Sequence, residues 1–458
     1  MRRRSWTAAS AAALVLVAST LGTGPAMALD PPRPNPGAAP KDGDPSPAME
    51  MRQDSGCGIG RWEGDDPKAV PESTRFFNPS ELWKKTRGAG VTVAVIDTGV
   101  TPNPRLTPRP GGDYIVASGN GLDDCDPHGT VVASLIAGKP SSTDSFSGLA
   151  PEAQLISIRQ SSRAWSGRVG LDGDQTKRTA GDLESLARAI VHAVSMGAKV
   201  INLSVTSCFD ARKLVPQDAL GGALDFAAKR DVVVVAAAGN TTDSNCGQNP
   251  NPEVTDKTGG WNNVKTVSAP SWFHELVISV GATDSRGAGL YGDRKEDYSL
   301  HGPWVTVAAP GGPVIGFGRE GKLINRVMDD VTPKPIAGTS FSAAYVSGLV
   351  ALIRSAEPKL TAAQVRERLT STAHHPAGGR DTVVGYGVVD AAAALNGAPV
   401  AASVAPPTAT REVLEVAPPP PPADHRALNV GWIVIGVGAV LIVAVQLLVS
   451  RRRKGSKS

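Results

Sequence analysis

The chain has 458 residues, which is enough for one large domain with a deep core and further segments at its ends. Hydrophobic residues make up 41%, and the 50 Gly and 37 Pro are unevenly spread, so the chain is not disordered throughout. The formal net charge is +4, but eight basic residues lie in segments 2–4 and 451–457, and the remainder carries −4. The folded part has no basic excess, which argues against a nucleic-acid partner.

The first 28 residues have the three parts of a secretory signal peptide. Arg2, Arg3 and Arg4 form a positive start, residues 8–21 are mostly apolar, and residues 26–28 are a small-x-small cleavage site. An amphipathic surface helix is the alternative, but the segment offers no polar face for one. We therefore predict a signal peptide over 1–28 and an exported protein.

Residues 29–75 are predicted to be an N-terminal extension that wraps over the domain behind it. Up to about residue 54 the segment is rich in Pro, Gly, Ala and Asp and shows no hydrophobic period. The apolar residues Phe76, Phe77, Leu82 and Trp83 then suggest a short helix that begins to pack, and Pro79 and Ser80 suit its start.

From residue 91 onward, short apolar runs alternate with segments of helical spacing. Strands are predicted at 91–96, 155–158, 200–204, 232–236 and 276–280. Helices are predicted at 128–138, 183–196, 220–228 and 340–355, and a capping box from Thr361 to Gln364 starts another. This alternation indicates an α/β fold with a mostly parallel sheet and helices on both faces. In such sheets functional residues gather at the carboxyl ends of the strands.

The C-terminal segment is predicted to anchor the chain in a membrane. Residues 398–427 contain Pro406-Pro407 and a run of prolines at 418–422, which favour a semi-rigid stalk over a ligand for a proline-recognising domain. Residues 428–449 are apolar enough to cross a bilayer, and the basic tail at 450–458 should stay in the cytoplasm. A buried core helix is the alternative, but the flanking stalk and basic tail disfavour it.

The four cysteines, Cys57, Cys125, Cys208 and Cys246, form no Cys-x-x-Cys pair, which argues against a zinc site. An even number in an exported chain suggests two disulfides, with three possible connectivities.

Three polar residues at element ends indicate nucleophilic catalysis. Asp97 ends the first predicted strand, His128 begins a helix, and Ser340 begins another after Gly338. Asp, His and Ser in this order match one known order of the catalytic triad. A serine hydroxyl needs a base to take its proton, an imidazole can do so near neutral pH, and a buried carboxylate fixes the imidazole tautomer.

Asn240 is a candidate donor to a developing oxyanion, because it follows a strand that ends in Ala-Ala-Gly. Taken alone, each feature has an ordinary interpretation. Gly-Thr-Ser is typical of a helix start, and Asn after Gly is typical of a turn. Asp-Thr-Gly at 97–99 also occurs in aspartic proteases, but those need a second copy, which the sequence lacks. The combination of all four is specific.

With these motifs, the chain from about residue 76 to residue 395 resembles the subtilisin-like serine proteases, or subtilases. The matching stretches are Val-Ile-Asp97-Thr-Gly, His128-Gly-Thr-Val-Val-Ala, Ala-Ala-Gly-Asn240, Gly-Thr-Ser340 and the segment 385–391. The resemblance implies a subtilisin-like three-layer fold for the peptidase domain, 76–397. It implies Asp97 as the orienting acid, His128 as the base, Ser340 as the nucleophile and Asn240 as the oxyanion donor.

The resemblance also implies how a polypeptide substrate binds. Substrate would run as an extended strand beside the segment 203–206. A specificity pocket with small walls would lie between that segment and the segment 237–239. The residues concerned are Leu203, Ser204, Val205 and Thr206 in the first segment and Ala237, Ala238 and Gly239 in the second.

The signal peptide, the cysteine-bearing extension, the stalk and the anchor narrow the resemblance to the mycosins, membrane-anchored subtilases of actinobacterial type VII secretion systems. This implies cleavage of secreted proteins, association with a secretion membrane complex and a protease domain outside the cytoplasm. One departure concerns Ser340: subtilases usually have Met and Ala after this serine and Pro four residues on, where this chain has Phe341, Ser342 and Ala344. Because helix interiors tolerate Ala better than Pro, the helix should persist.

Placed on the subtilase fold, Cys208 and Cys246 follow neighbouring strands, so we predict that they pair and that Cys57 pairs with Cys125. We predict no cofactor and no metal site, because the sequence has no dense carboxylate loop. The extension is short and lacks strand patterning, so we expect it to wrap and not to act as an inhibitory propeptide.

Three functions are compatible with these features. The first is an active endopeptidase, which the complete set of four site residues favours. The second is a structural component of the secretion complex whose protease site is idle or secondary. The third is a hydrolase of esters or cell-wall material on the same site, which no carbohydrate-binding aromatic cluster supports.

Overall fold

The computed structural model describes residues 29–64, 66–167, 175–251, 259–289, 298–329 and 332–397. The predicted signal peptide, stalk, transmembrane helix and basic tail lie outside these residues. Within the described ranges, the helices are all too short or too polar to cross a membrane.

The described residues form sixteen short strands and eight α-helices. The strands are β1 (Met51–Gln53), β2 (Gly60–Arg61), β3 (Thr92–Asp97), β4 (Arg109–Asp113), β5 (Gln154–Arg159), β6 (Trp165–Gly167), β7 (Val200–Leu203), β8 (Ser207–Asp210), β9 (Val233–Ala237), β10 (Thr266–Ala269), β11 (Ile278–Thr283), β12 (Val307–Pro310), β13 (Gly316–Phe317), β14 (Leu323–Ile324), β15 (Arg326–Asp329) and β16 (Thr332–Pro335). The helices are α1 (Glu72–Phe77), α2 (Pro79–Leu82), α3 (His128–Ala137), α4 (Gln175–Ser195), α5 (Asp218–Lys229), α6 (Thr339–Ala356), α7 (Ala362–Thr372) and α8 (Ala391–Asn396).

A seven-stranded sheet forms the centre, in the order β12-β11-β9-β7-β3-β5-β4. Every neighbouring pair in it is parallel. Parallel strands are covered on both faces and therefore consist of nearly continuous apolar residues, as β3 and β7 do. The predicted α/β fold with a parallel sheet is confirmed.

Two hydrophobic cores lie on opposite faces of the sheet. Alternate residues of a strand point to opposite faces, so Val93 and Val95 of β3 pack in one core and Ala94 and Ile96 in the other. The first core includes residues of α3, α6, α7 and α8, and the second includes residues of α4 and α5. The result is three layers: helices, sheet, helices.

The middle of the sheet brings three predicted site segments together. β3 ends at Asp97, β7 ends at Leu203 and β9 ends at Ala237, and these three strands are neighbours in the order β9-β7-β3. Because the strands are parallel, their carboxyl ends meet at one edge, where polar side chains can act on a common ligand.

The N-terminal extension runs over the outside of this core. Asp42 pairs with His192 of α4, with 2.8 Å between carboxylate oxygen and Nδ1. β1 then pairs antiparallel with β6, and β2 pairs antiparallel with β15. The extension ends within α1, and Phe77, the last residue of that helix, stacks on Tyr345 of α6 with 4.7 Å between ring centroids.

Several element boundaries differ from those predicted. A helix begins at Pro79 as predicted (α2), but Phe76 and Phe77 belong to a separate helix, α1, and Asn78 between the two is in the left-handed conformation. Helix α4 begins at Gln175, before the predicted start at 183, and β4 and β12 were not predicted. The capping box of α7 is present, with Thr361 accepting from Gln364 N–H and the Gln364 side chain accepting from Thr361 N–H.

Candidate active site

Ser340 is the second residue of α6 and lies at the edge where β3, β7 and β9 end. Gly338, which precedes the helix, has a φ of 150°, a value that side-chain-bearing residues rarely adopt. The Ser340 hydroxyl donates to the carbonyl oxygen of Ser204 at 3.2 Å, and the Ser204 hydroxyl donates back to the Ser340 carbonyl at 2.9 Å. The predicted nucleophile is therefore held beside the predicted substrate segment.

His128 and Asp97 form the second part of the site. His128 is the first residue of α3 and Asp97 the last of β3, and Nδ1 of the histidine lies 2.7 Å from Oδ1 of the aspartate. The Asp97 side chain is fully buried, whereas 26% of the His128 side chain is exposed. The imidazole packs against the ring of Phe341, with 5.4 Å between ring centroids, which places it next to the start of α6.

The charge of Asp97 decides the basicity of His128. Burial by itself would lower the pKa of this imidazole, but the Asp97 carboxylate and its hydrogen bond outweigh burial, so the pKa is raised above its ordinary value. The neighbour that fixes the ring orientation also stabilises the imidazolium form, as a general base requires. Among the described residues, no hydrogen bond joins His128 to the Ser340 hydroxyl.

A second buried carboxylate supports this pair. Asp124 is fully buried and accepts hydrogen bonds from the hydroxyl of Thr98, from Asp126 N–H and from both the N–H and the hydroxyl of Thr130. The Thr98 hydroxyl also lies 3.2 Å from Asp97 Oδ1 and accepts from Gly129 N–H. Burial raises the pKa of Asp124 to about 7. The network ties the first turn of α3 to the end of β3.

Asn240 approaches the start of α6 from the end of β9. Its side-chain oxygen accepts from Thr339 N–H at 2.8 Å and from the Thr339 hydroxyl at 2.9 Å. This fixes the orientation of the amide, so Nδ2 faces away from Thr339 and donates to Asp243 at 2.9 Å. The NH₂ group has a second hydrogen, which Asn240 can offer to an oxyanion.

The two predicted substrate segments lie at different depths. Leu203 and Ser204 are buried next to Ser340, whereas Val205 and Thr206 are half-buried and line a recess together with Trp165. In the second segment, Ala237, Ala238 and Gly239 are buried, and Gly239 N–H lies 3.3 Å from the Thr339 hydroxyl oxygen.

Each disulfide fastens a loop that carries a site residue. Cys57 is bonded to Cys125 and Cys208 to Cys246, the pairings implied by the family resemblance. Cys125 lies between Asp124 and Asp126 in the segment that leads to His128. Cys246 closes the turn that contains Asp243, whose backbone N–H donates to Asn240 C=O.

The supporting residues Thr98, Asp124, Thr130 and Asp243 were missed in the sequence. Thr98 and Thr130 stand in the Asp-Thr-Gly and His-Gly-Thr motifs, and Asp124 precedes His128 by four residues. Their roles depend on which side chains meet across the edge of the sheet, and that information lies in the tertiary structure. The only signal in the sequence is that each of these polar residues lies within four positions of a predicted site residue.

Comparison with known proteins places this chain in a family. Residues 88–387 match the model of the subtilase family, Peptidase_S8. Mycosin-1 of Mycobacterium tuberculosis is 44% identical over 391 residues, which cover 84% of this chain and 86% of that protein. The crystal structure of MycP1 from Mycobacterium smegmatis superposes with a TM-score of 0.76 at 41% identity and covers 80% of this chain and 95% of that one.

A further structural neighbour belongs to a larger assembly. A chain in the structure of an intact ESX-5 inner membrane complex aligns with a TM-score of 0.76 at 44% identity, covering 91% of this chain and 98% of that one. The family match extends over more than half of the chain and the similarity to Mycosin-1 over most of it. The chain therefore belongs to the subtilase family of serine endopeptidases and, within that family, to the mycosins.

Proposed function

We propose that this protein cleaves polypeptides with a triad of Asp97, His128 and Ser340, and that it does so while anchored in a membrane at a type VII secretion complex. The observation that carries the catalytic part is the 2.7 Å contact between His128 Nδ1 and Asp97 Oδ1 beside the helix that begins at Ser340. The contact leaves Nε2 of the imidazole as the nitrogen that can serve the nucleophile.

The chemistry follows from these positions. Ser340 Oγ attacks the carbonyl carbon of the scissile peptide bond while His128 Nε2 takes the hydroxyl proton. Asn240 Nδ2 and the backbone N–H of Ser340 stabilise the oxyanion. The imidazolium then gives its proton to the departing amine, which leaves an acyl ester on Ser340. A water molecule, deprotonated by His128, hydrolyses that ester and restores the serine.

Substrate would bind as an extended strand beside Leu203, Ser204, Val205 and Thr206. Two contacts support this placement: Ser204 touches Ser340 through both its hydroxyl and its carbonyl, and the next two residues line a recess. Buried Ala237 and Ala238, with Gly239, would form the wall of the pocket next to the scissile bond.

The cellular setting is supported by the sequence and by the relatives. A signal peptide at 1–28 would export the chain, and the helix at 428–449 would hold it in the membrane by way of the stalk at 398–427. A structural neighbour is part of an ESX-5 inner membrane complex, and its alignment covers 91% of this chain. We propose a corresponding complex as the partner, with the peptidase domain at 76–397 outside the cytoplasm and the extension at 29–75 wrapped over it.

A structural role is the second candidate. The Ser340 hydroxyl donates to Ser204 C=O, so the nucleophile is not aligned with its base in this conformation. A protein that serves mainly as a scaffold could keep its serine in that position. For catalysis the Ser340 hydroxyl would have to turn from Ser204 toward His128.

One labelling experiment separates these functions. Three proteins are expressed: the full-length chain, its Ser340→Ala variant and a chain that ends at residue 427. The membrane and soluble fractions of each are treated with a fluorophosphonate probe. We expect labelling in the wild-type membrane fraction, none in Ser340→Ala, and labelled protein in the soluble fraction for the shortened chain. A folded wild-type protein that takes no label would favour the structural role, and a shortened chain that stays with the membrane would contradict the proposed anchor.

When the host has a type VII secretion system, the same membranes also test the proposed association with the secretion complex. After solubilisation in mild detergent, the wild-type chain and Ser340→Ala should migrate equally with the secretion complex. Migration of both as free protein would contradict the proposed association.

A further inference from the structure

We propose that Asp124 is a positioning residue for the base of this site and that it acts through the hydroxyl group of Thr98. In this role Asp124 sets how many hydrogen bonds the Asp97 carboxylate accepts, and thereby how firmly that carboxylate stabilises the charged form of His128. The proposal rests on the endopeptidase function proposed above, because it names a residue that adjusts the base of that reaction.

One hydroxyl hydrogen is shared between two buried carboxyl groups. The Thr98 oxygen lies 2.8 Å from Asp124 Oδ1 and 3.2 Å from Asp97 Oδ1. A threonine hydroxyl has a single hydrogen to donate, so it can serve only one of these oxygens at a time. The Thr98 oxygen also accepts from Gly129 N–H at 2.9 Å, which leaves it one further lone pair. The shorter distance places the hydrogen on the side of Asp124 when both carboxyl groups are ionised.

The surroundings of Asp124 can take up a proton on Oδ1 without losing a hydrogen bond. Oδ2 accepts from the N–H and the hydroxyl of Thr130 at 2.8 and 2.6 Å, and Oδ1 accepts from Asp126 N–H at 3.0 Å. A protonated Oδ1 keeps the bond from Asp126 and donates its new hydrogen to the free lone pair of Thr98. The Thr98 hydrogen must then turn away from Asp124, and Asp97 Oδ1 is the acceptor within reach.

This reversal changes the carboxylate that holds the imidazole. Asp97 Oδ1 accepts from Thr98 N–H at 2.7 Å and lies 2.7 Å from His128 Nδ1. An added hydrogen bond from the Thr98 hydroxyl disperses the negative charge of Asp97, so the carboxylate stabilises the imidazolium less. A proton on Asp124 therefore lowers the pKa of His128. By linkage, a proton on His128 lowers the pKa of Asp124, so the two groups titrate as a pair with negative cooperativity.

The reversal takes place in the pH range that matters for a histidine base. Burial raises the pKa of Asp124 to about 7, although its hydrogen bonds with Thr130 and Thr98 act in the opposite direction. As the pH falls, Asp124 gains a proton and Asp97 holds the imidazolium less firmly. Part of His128 then stays neutral at a pH at which it would otherwise be charged. The arrangement extends the working range of the base toward mildly acidic conditions.

The other charged groups near this pair affect His128 directly. Burial lowers the pKa of His128, whereas the charge and the hydrogen bond of Asp97 raise it. The charge of Arg163 lowers this pKa and the charge of Asp124 raises it, and both effects are smaller. Two further carboxylates of the loop have partners of their own: Asp126 accepts from the Ser162 hydroxyl and Arg163 N–H, and Asp123 pairs with Arg159 and Arg319. The direct charge effect of Asp124 has the same sign as its route through Thr98, so an experiment has to separate the two.

A histidine titration followed by NMR tests the proposal without turnover. The full-length Ser340→Ala protein in detergent, isotope-labelled at its 7 histidines, is titrated through the range in which histidines change charge. The His128 signal is the one missing from the variant His128→Gln. We expect the parent to give a curve broader than that of a single independent proton. Asp124→Asn should give a single-proton curve with its midpoint lower by about 0.5 pH unit or more, because an amide stays neutral and donates to Thr98 as the protonated carboxyl would.

A double-mutant cycle separates the two effects of Asp124. Thr98→Val removes the shared hydroxyl, so Asp124→Asn in that background should shift the His128 midpoint much less, by its direct charge effect alone. Thr98→Ser keeps a hydroxyl and should titrate like the parent. Thr130→Val is the matched control, because it removes a hydroxyl from the other oxygen of the same carboxylate, at 2.6 Å, and leaves Thr98 in place. The full shift on Asp124→Asn should persist in the Thr130→Val background.

Two results would overturn the proposal: an unchanged midpoint in Asp124→Asn, or the same shift with and without the Thr98 hydroxyl. Thermal unfolding verifies that each variant is folded. If Asp124→Asn does not fold, the parent and Thr98→Val decide, since the parent curve should be the broader of the two, and equal widths would contradict the shared hydrogen. Fluorophosphonate labelling of the wild type is scored separately from this titration of an inactive variant, so a failed protease function and a failed positioning role are distinguishable.

Discussion

At the scale of single residues, the charge of Asp97 controls when His128 can act. In the proposed mechanism His128 must be neutral to take a proton from Ser340, and Asp97 raises the pKa of His128 above its ordinary value. Labelling by a fluorophosphonate should therefore rise with pH through a midpoint above about 6.5.

We expect Asp97→Asn to change both the rate and its pH dependence. An amide cannot stabilise the imidazolium, so the pKa of His128 falls and the midpoint moves to lower pH. The labelling rate at neutral pH should fall by about 10⁴-fold, the loss seen when a triad aspartate is replaced by asparagine in another serine protease. Rates measured from pH 5 to pH 9 test this. A lower rate with an unchanged midpoint would mean that Asp97 holds the fold and not the basicity of His128.

The four candidate catalytic residues could be proposed from sequence because each stands in a short motif at the end of an element. Their hydrogen-bond partners could not. Asp243 meets Asn240, and Asp124 meets Thr98 and Thr130, through contacts that only the folded chain creates. Residue type and order indicated the reaction, whereas the network that holds the side chains in place has no sequence pattern of its own.

At the scale of elements, the junction between Gly338 and α6 positions both Ser340 and Asn240. Gly338 has a φ of 150°, and a Cβ atom there would lie 3.1 Å from the side-chain oxygen of Asn240. That oxygen accepts from Thr339, the first residue of the helix. A side chain at position 338 would therefore strain the backbone and displace the predicted oxyanion donor together.

We expect Gly338→Ala to lose fluorophosphonate labelling by at least about tenfold and to reduce the free energy of unfolding by about 1–3 kcal/mol. Gly197 is the matched control: it also has a positive φ, of 88°, but a Cβ atom there meets nothing within 4 Å. Gly197→Ala should also strain the backbone but keep its labelling rate. Equal labelling by the two variants would show that Asn240 tolerates a displaced helix start. Denaturant titration measures the free energy of unfolding, and labelling kinetics measure the loss of labelling.

The elements that could be predicted are those with a strong hydrophobic pattern. β3, β7 and β9 are continuous apolar runs, and α3 and α6 are buried along most of their length. β4 was missed because Arg-Pro-Gly-Gly-Asp has poor strand propensity and sits at the edge of the sheet. The short strands β1 and β6 were missed because three residues form a strand only when a distant partner is present.

At the scale of the whole molecule, the extension is fastened at several separate points. It contacts α4 through Asp42, β6 through β1, the loop before His128 through Cys57, and β15 through β2. Of these four contacts, only the disulfide is a covalent bond. It connects residues 68 positions apart and so restricts the unfolded chain strongly.

Replacing Cys57 and Cys125 together by serine should lower the free energy of unfolding by about 4 kcal/mol, the value that a loop of this length gives in the chain-entropy model. The freed extension should also become sensitive to a nonspecific protease near residue 57, while the core of the domain stays resistant. Urea titration and limited proteolysis of the full-length protein measure these effects. The double variant Cys208→Ser/Cys246→Ser serves as control, because it should lose stability without exposing the extension. An extension that stays protected in Cys57→Ser/Cys125→Ser would mean that its noncovalent contacts suffice.

The pairing of β2 with β15 has a consequence for the order in which the chain can fold. Arg61 stands opposite Arg326, so a strand made near the start of synthesis must wait for one made 265 residues later. α1 likewise waits for Tyr345, with which Ser73 shares a 2.8 Å hydrogen bond. β2 and α1 thus emerge early but dock late, and until then they stay exposed to whatever meets a newly made polypeptide. Docked β2 and α1 therefore mark a chain that has been made at least as far as α6.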